Sequence, residues 1–274
     1  MEQCEPPKAD CIILENLSIG YRGRNGYRMV AERLNSTLCR GTLTCLLGQN
    51  GVGKSTLLRT LGGFQTPLAG RVLIESSDVS KLSASDMSRL VSIVLTERPS
   101  VPNMKVTEMV ALGRQPYTGF WGRLSAADRD VVDSAIEAVG IGPLSERMIR
   151  TLSDGERQKV MIAKALAQET PVILLDEPTA FLDYGSKADV LQMLGRLASE
   201  KRKTILLSTH DIELAIQTSD NVWLMTAGKL TAGSPTQLAA DGSLKAFVEQ
   251  PGITFDSDTM TIHVTRKTHN QKNT

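Results

Sequence analysis

One short stretch constrains the fold of this chain more than any other part of the sequence. It consists of Gly48, Gln49, Asn50, Gly51, Val52, Gly53, Lys54, Ser55 and Thr56. An apolar run precedes it at residues 43–47, and a segment with helical spacing follows it at residues 57–61. This order of strand, glycine-rich loop and helix, with the spacing G-x-x-x-x-G-K-S, is typical of a loop that holds nucleotide phosphates. The alternative is a plain glycine turn, but the fixed positions would match by chance only about 0.01 times in such a chain.

Each residue type in the loop has a physical role in binding phosphate. The glycines allow backbone turns in which a Cβ atom would clash, and the N–H groups of the loop then converge on phosphate oxygens. The N-terminus of the following helix adds a partial positive charge. Lys54 can reach the β- and γ-phosphates, and the Ser55 hydroxyl can be a ligand for Mg²⁺. The loop therefore predicts a binding site for a nucleoside triphosphate with Mg²⁺.

Composition, net charge and the lengths of apolar runs exclude several classes of protein. The 274 residues are 41% hydrophobic and carry a net charge of +1, so we expect a large core and no strongly basic nucleic-acid surface. No apolar run reaches the roughly 18 residues of a membrane span, and residues 1–10 lack the apolar segment of a signal peptide. The four cysteines and three histidines form no zinc-binding pattern. These observations predict a protein that stays in the cytoplasm and binds no nucleic acid.

The order of apolar and polar segments predicts an α/β fold with a P-loop NTPase core. The segment 172–175 is apolar throughout, which is typical of a strand covered on both faces, so we expect a mixed parallel sheet. Strands at residues 11–19 and 29–38, with a glycine-rich turn at residues 20–26, predict an N-terminal antiparallel β sub-domain.

Helical patterns between about residues 88 and 155 predict a helical insert sub-domain. Its strongest helix is expected at residues 125–139, where Ser125 is an N-cap and Asp128 follows three residues later. One domain is expected over residues 11–250, with its helical insert at about 88–155. A C-terminal extension is expected over residues 251–274, and its last residues are polar enough to be disordered.

Two carboxylates end the apolar strand at residues 172–175. Asp176 is a predicted Mg²⁺ ligand, directly or through water, because Mg²⁺ chemistry is placed at strand ends opposite such loops. Glu177 would point elsewhere, since side chains alternate along a strand, and it could accept a proton from a water that attacks the γ-phosphate. The alternative is a solvated strand end without a catalytic role.

A histidine ends another apolar strand, at residues 204–208. From this position, His210 could contact the γ-phosphate or the attacking water. An isolated histidine is more often a packed surface residue, and the catalytic interpretation depends on the loop and the acidic pair.

The segment between the loop and the acidic pair resembles a motif of the ATP-binding cassette (ABC) ATPases. Leu152 and the four residues after it resemble the L-S-G-G-Q signature of that family. These four residues are Ser153, Asp154, Gly155 and Glu156. A helix starts here, and its N-terminal N–H groups favour anions. The motif also has the position along the chain that the family requires.

Other residues extend the resemblance over about residues 11–236. Residues 181–183 resemble the family's D-loop, which includes Asp183, and His210 resembles its switch histidine. Tyr21 resembles the aromatic residue that stacks on adenine, and Tyr27 is a weaker candidate. The resemblance implies that the nucleotide is ATP and that the chain hydrolyses it to ADP and phosphate.

The resemblance also implies a homodimer, because in that family the signature of one subunit closes over ATP held by the other. The chain departs from the family at three residues: Glu97 stands where a glutamine contacts Mg²⁺ and water, Asp154 replaces glycine, and Glu156 replaces glutamine. Glu97 can still bind Mg²⁺, and Asp154 would turn away from the γ-phosphate. Glu156 is harder to reconcile with a phosphate. Hydrolysis is nevertheless expected, because Lys54 and the acidic pair with its histidine are all present.

The segment from Met109 to Tyr117, together with Phe120, Trp121 and residues 126–128, is similar to the ATPases of iron-siderophore, haem and vitamin B12 importers. That similarity implies a peripheral subunit on the cytoplasmic face of the inner membrane. Its helical insert, at about residues 98–121, would dock on an integral-membrane permease dimer, and a periplasmic or lipoprotein binding protein would deliver the solute. Phe120 and Trp121 could instead be a packed helix cap.

Three alternatives stay open at this stage. The chain could serve another importer or an exporter. It could be a soluble ABC ATPase acting on ribosomes or DNA, although such proteins usually carry two cassettes or long coiled-coil insertions. A P-loop kinase or GTPase is opposed by the signature and by the lack of an N-K-x-D motif.

Overall fold

Strands and helices alternate along the chain, which a computed structural model describes over residues 10–23, 26–96, 103–119 and 122–265. The strands of this part are β1 (Asp10–Gly23), β2 (Gly26–Cys39), β3 (Leu43–Gly48), β4 (Ala69–Ile74), β5 (Ser77–Asp78), β6 (Val91–Val94), β7 (Val172–Asp176), β8 (Thr204–Thr209), β9 (Asn221–Thr226), β10 (Lys229–Gly233), β11 (Ile253–Asp256) and β12 (Thr261–Val264). Its helices are α1 (Lys54–Leu61), α2 (Ala84–Leu90), α3 (Val106–Ala111), α4 (Ala126–Ala138), α5 (Asp154–Ala167), α6 (Tyr184–Glu200), α7 (Ile212–Thr218), α8 (Pro235–Ala240) and α9 (Ser243–Val248). None of these helices combines the length and the apolar character needed to cross a lipid bilayer.

A six-stranded sheet with the order β10-β9-β3-β8-β7-β6 forms the centre of the fold. All neighbours pair in parallel except β10 and β9, which form an antiparallel hairpin. Strands β3, β7 and β8 are buried along their whole length. Alternate residues of β3 belong to different cores: Leu47 packs with the helices of one face, and Leu46 packs with α1 and the β sub-domain on the other. The predicted mixed parallel sheet is confirmed.

The β sub-domain is a second sheet with the order β2-β1-β4-β5. It is antiparallel throughout, as the sequence predicts. The predicted turn at residues 20–26 is wrong in length, because β1 runs through Gly23 and Gly23 still pairs with Gly26 of β2. Cross-strand pairing therefore extends through residues 20–23, which the sequence predicted to belong to the turn.

Helices α3, α4 and α5 pack together in the region predicted for the helical insert. The predicted cap of α4 is confirmed: Ser125 accepts a hydrogen bond from the backbone N–H of Asp128, and the Asp128 carboxylate accepts one from the backbone N–H of Ser125. Strand β6 falls within the residues predicted for the insert, yet it pairs with β7 in the central sheet. The helical segment thus begins after Val94.

The chain after β10 packs against the main domain. Helices α8 and α9 do not appear among the sequence-based predictions, although Ser234 and Gln237 form a capping box at the start of α8. Strands β11 and β12 form a hairpin, and Phe255 of β11 is buried in the core of the central domain. The Ile262 N–H donates to the Glu213 carboxylate of α7, 3.1 Å away. The prediction of disorder at the end of the extension falls on residues outside the described part.

Candidate active site

The predicted phosphate loop joins the end of β3 to the start of α1, in the middle of the central sheet. Gly53 is the N-cap of α1 with a left-handed backbone, φ 117°. A Cβ atom on Gly53 would lie 2.3 Å from a methyl carbon of Val30, and one on Gly48 would lie 2.8 Å from the Met225 carbonyl oxygen. Only glycine fits these two positions, so the loop keeps a tight path around the helix N-terminus.

The Lys54 side chain reaches back from the start of α1 to the beginning of the phosphate loop. Its ammonium donates to the Gly48 carbonyl oxygen at 2.8 Å and to the Gln49 carbonyl oxygen at 3.4 Å. The side chain is only 5% exposed, and Glu177 Oε1 lies 3.7 Å from Lys54 Nζ. Backbone carbonyls and one carboxylate thus hold the charge of Lys54 beside the loop.

The acidic pair ends β7 as predicted, and one hydroxyl connects its two members. Ser208 Oγ donates to Asp176 Oδ1 at 2.7 Å and accepts from the Glu177 N–H at 2.9 Å. Glu177 has a left-handed backbone, φ 48°, which turns it away from the strand direction. Thr96 Oγ1 also donates to the Asp176 carbonyl oxygen at 2.9 Å. The Ser208 hydroxyl therefore orients the Asp176 carboxylate, while the backbone turn at Glu177 directs its carboxylate elsewhere.

The Glu177 carboxylate lies between the side chains of Lys54 and His210. One carboxylate oxygen faces Lys54, and the other lies 3.8 Å from His210 Nδ1. The His210 side chain follows β8 and is 53% exposed, so it borders the open side of the site. The structure thus brings Lys54, Glu177 and His210 together, although they are far apart in the sequence.

Tyr21 and Thr56 connect the β sub-domain to the loop. The two side-chain hydroxyl oxygens are 2.7 Å apart and share a hydrogen bond. Tyr21 is 48% exposed, while Tyr27 is 70% exposed and farther along the hairpin. Tyr21 therefore lies at the helix end of the phosphate loop, with part of its surface available for stacking.

The predicted signature residues begin α5. Ser153 is the N-cap, its hydroxyl accepts from the Glu156 N–H at 3.2 Å, and the Glu156 carboxylate accepts from the Ser153 N–H at 2.8 Å. This hydrogen bonding from the Ser153 backbone and hydroxyl lowers the pKa of Glu156. Because glutamate and glutamine both form such a capping box, the departure at Glu156 keeps the helix start intact. Asp154 lies 3.5 Å from Arg157 of the same helix.

We expect the Glu156→Gln variant to keep its free energy of unfolding at pH 7 within about 0.5 kcal/mol of the original chain. The side-chain oxygen of the introduced glutamine can accept the same hydrogen bond from the Ser153 N–H. Replacing Ser153 with alanine should instead cost about 1 kcal/mol, since it removes the N-cap. Urea unfolding followed by circular dichroism measures both. A loss above about 2 kcal/mol in Glu156→Gln would contradict the capping role.

Asp183 is the N-cap of α6, as Ser153 is the N-cap of α5. Its carboxylate accepts from the Ser186 N–H at 3.0 Å and from the Ser186 hydroxyl at 2.7 Å, and these bonds lower its pKa. A Cβ atom on Gly155 would lie 3.8 Å from Ser186 Oγ. The signature and the D-loop segment are therefore neighbours on one face of the molecule.

Residue 97 lies outside the described part, as do Phe120 and Trp121, so the predictions for Glu97 and for this pair of aromatics stay predictions.

Ser208, which binds both members of the acidic pair, is not among the residues predicted from the sequence. A serine two residues before His210, at the end of an apolar strand, was the available signal.

Arg114 is a second residue whose importance the sequence did not reveal. It is 6% exposed and lies within the helical insert. Its guanidinium donates to Asp128 at 2.9 Å, to the Ala167 carbonyl oxygen at 2.8 Å and to Glu169 at 2.6 Å. The hydroxyl and backbone of Ser125, followed by Arg114, lower the pKa of Asp128 to about 2. Arg114 thus connects the start of α4 to the end of α5 and to Glu169, just after that helix.

Replacing Arg114 with alanine should lower the free energy of unfolding by about 1.5–3 kcal/mol, because it removes the charged hydrogen bonds of a buried guanidinium to Asp128 and to the Ala167 carbonyl oxygen. Thermal and urea unfolding measure this loss. Arg129→Ala, an exposed change on the same helix as Asp128, is the control and should stay within about 0.5 kcal/mol. Equal losses in the two variants would show that Arg114 makes no special contribution.

Comparisons with known proteins agree on the family. A match to the ABC transporter family covers residues 31–180. The iron(3+)-hydroxamate import ATP-binding protein FhuC of Bacillus subtilis is 40% identical over 206 residues, which are 75% of this chain and 75% of that protein. The ferric enterobactin transport ATP-binding protein FepC of Escherichia coli is 35% identical over 225 residues, 82% of each chain.

A solved structure of an ABC transporter in an inward-facing conformation has the same fold. It superposes with a TM-score of 0.76 at 26% identity and covers 93% of this chain and 96% of its own. The family match spans more than half of the sequence, and both relatives are matched over more than two thirds of the chain. The chain therefore belongs to the ABC transporter family, as one of its ATP-hydrolysing subunits.

Proposed function

We propose that this chain is the ATP-binding and ATP-hydrolysing subunit of an importer for a metal chelate, such as an iron-siderophore, haem or cobalamin complex. The position of Glu177 between Lys54 and His210 is the observation that supports hydrolysis most directly. The names of two relatives support the cargo, because one names iron(3+)-hydroxamate import and the other ferric enterobactin transport.

The phosphate loop and Tyr21 would bind ATP from two ends. The N–H groups of the loop and the Lys54 ammonium suit the phosphates, and the exposed face of Tyr21 suits adenine. Ser55 and Asp176 would hold Mg²⁺, with Glu97 as a further ligand. Hydroxyl and carboxylate oxygens fit this ion, and the Ser55 side chain is exposed on the loop. When bound, Mg²⁺ supplies charge neutralisation for the phosphates.

In the reaction itself, Glu177 would act as general base. Its carboxylate takes a proton from the water that attacks the γ-phosphate. His210 would contact that water or the phosphate and hold it in line. Lys54 would neutralise charge on the leaving phosphate oxygens. Ser208 orients Glu177 through the backbone N–H at 2.9 Å.

ABC ATPases act as dimers with a separate permease, and we propose a homodimer for this chain. Ser153, Asp154, Gly155 and Glu156 of one copy would face ATP on the loop of the other. The helix start favours an anion, and the bond from the Ser153 N–H keeps the Glu156 carboxylate at the backbone of α5.

The importer role places this subunit on the cytoplasmic face of the inner membrane. The segment at about residues 98–121 would dock on the permease dimer, and a binding protein would deliver the chelate from the other side. Closing the ATP dimer would move the two inserts together and shift the permease between its two states.

Copurification and uptake together test this proposal. The chain should copurify with a polytopic permease, and a strain lacking the chain should lose uptake of one of siderophore, haem or cobalamin. Complementation with Glu177→Gln should not restore uptake. Normal uptake of all three chelates in the deletion strain would favour another ABC transporter, and copurification with ribosomes would favour a soluble ABC ATPase.

A further inference from the structure

A cavity of about 10 Å³ lies between α5 and the end of β7. One ordered water needs about this volume, together with roughly two to four polar partners. The polar residues that line the cavity are Thr96, Gln158, Asp176 and Glu177, and its other lining residues are apolar. The cavity therefore has the size and the polar lining of a site for a single water molecule.

Gln158 of α5 brings a buried amide to this cavity. The residue is 8% exposed, and its Nε2 has no hydrogen-bond partner among the residues that the structure describes. An amide nitrogen carries two hydrogens to donate, and buried polar groups in native proteins are almost always paired, because an unpaired donor is costly. A water in the adjoining cavity would accept from Gln158 Nε2 and so pair it.

The acceptors for the hydrogens of this water belong to the acidic pair. Asp176 and Glu177 line the cavity, and a water that accepts from Gln158 keeps both of its own hydrogens for oxygens at this strand end. Thr96 cannot replace the water as a donor, because its Oγ1 already donates to the Asp176 carbonyl oxygen at 2.9 Å. The amide of Gln158 and the acidic pair are thus connected through one water position.

The contacts of the Glu177 carboxylate with its cationic neighbours are long. Lys54 Nζ lies 3.7 Å from one carboxylate oxygen and His210 Nδ1 lies 3.8 Å from the other, and both distances exceed the range of a hydrogen bond. The Ser208 hydroxyl binds the Glu177 backbone N–H rather than the carboxylate. A water held by Gln158 would therefore add a directed hydrogen bond to this end of β7 from the side of the helical insert.

We propose that Gln158 is a positioning residue for ATP hydrolysis, which holds one ordered water against the strand end that carries Asp176 and Glu177. The inference rests on the catalytic role proposed for this acidic pair, and Gln158 acts through the pair without touching ATP. A general base works only when its oxygen is held at the right distance from the attacking water. Loss of the amide should therefore slow the chemical step and leave ATP binding unchanged.

The first test replaces Gln158 with methionine, which has a similar length and no hydrogen to donate. Gln158→Met should lower kcat about five- to tenfold and leave KM for ATP unchanged within about twofold, since the loss of one ordinary hydrogen bond corresponds to such a factor. Phosphate release in the presence of the permease measures both constants. Gln192→Met makes the same chemical change at an exposed position of α6 and should keep the original kcat and KM. Thermal unfolding confirms that both variants fold.

The second test needs no substitution. A crystal structure of the original chain that resolves ordered solvent should show one water within about 3.2 Å of Gln158 Nε2 and of an oxygen of Asp176 or Glu177. A cavity without this water would overturn the inference, as would an unchanged kcat in Gln158→Met or a loss of the same size in Gln192→Met. If Glu177→Gln keeps the original turnover, the proposed general base fails and the positioning role fails with it, whereas the crystal structure still decides the water site by itself.

Discussion

Replacing Glu177 with glutamine is expected to lower ATP turnover about 10²–10⁴-fold while ATP binding persists. Glutamine keeps the size and polarity of the side chain but cannot accept the proton of the attacking water. The carboxylate lies 3.7 Å from Lys54 Nζ and 3.8 Å from His210 Nδ1, so its loss removes the centre of this arrangement. Phosphate release assayed in the presence of the permease measures turnover, and equilibrium titration with a fluorescent ATP analogue measures binding.

Glu200→Gln is the matched control, because it makes the same chemical change at an exposed position of α6. It should retain the original turnover. If Glu177→Gln hydrolyses ATP as fast as the original chain, Glu177 is not the general base, and His210 becomes the residue to test next.

The second large effect is expected from Lys54→Ala, which should raise the Kd for ATP about 10–150-fold, corresponding to about 1.5–3 kcal/mol for a charged hydrogen bond. The ammonium is buried and bonded to the Gly48 carbonyl oxygen, so it occupies a fixed position rather than a flexible one. Alanine leaves the phosphates without this cation. Isothermal titration calorimetry with ATP and Mg²⁺ measures the change directly.

Lys81→Ala serves as the control for charge alone, since the Lys81 side chain is 79% exposed on the β sub-domain side. Its Kd for ATP should equal that of the original chain. Equal weakening in the two variants would mean that net charge, and not the position of Lys54, governs ATP affinity.

Short-range patterns allowed much of the fold and of the site to be predicted. Strand β3, the glycine loop and α1 are consecutive, so a local motif specified their arrangement. The cap of α4 at Ser125 and the cap of α5 at Ser153 also depend on residues only three positions apart. Apolar runs located β7 and β8, whose burial on both faces requires continuous apolar residues.

Features that depend on distant contacts could not be predicted in the same way. Arg114 bonds to Glu169, which is 55 residues later, and no local pattern connects them. Ser208 lies 32 residues after Asp176, and only the parallel pairing of β7 with β8 brings them together. The left-handed backbone of Glu177 is also set by its surroundings, because glutamate has no intrinsic preference for positive φ.

The cap at Ser153 has a consequence for the proposed closing of two subunits around ATP. A serine hydroxyl has one hydrogen to donate and two lone pairs to accept with. Ser153 Oγ uses a lone pair to accept from the Glu156 N–H at 3.2 Å, and its hydroxyl hydrogen bonds to the Glu156 carboxylate, so these groups are satisfied within one subunit. In the proposed homodimer, the start of α5 would therefore be preorganised, because its cap is formed before a second subunit docks.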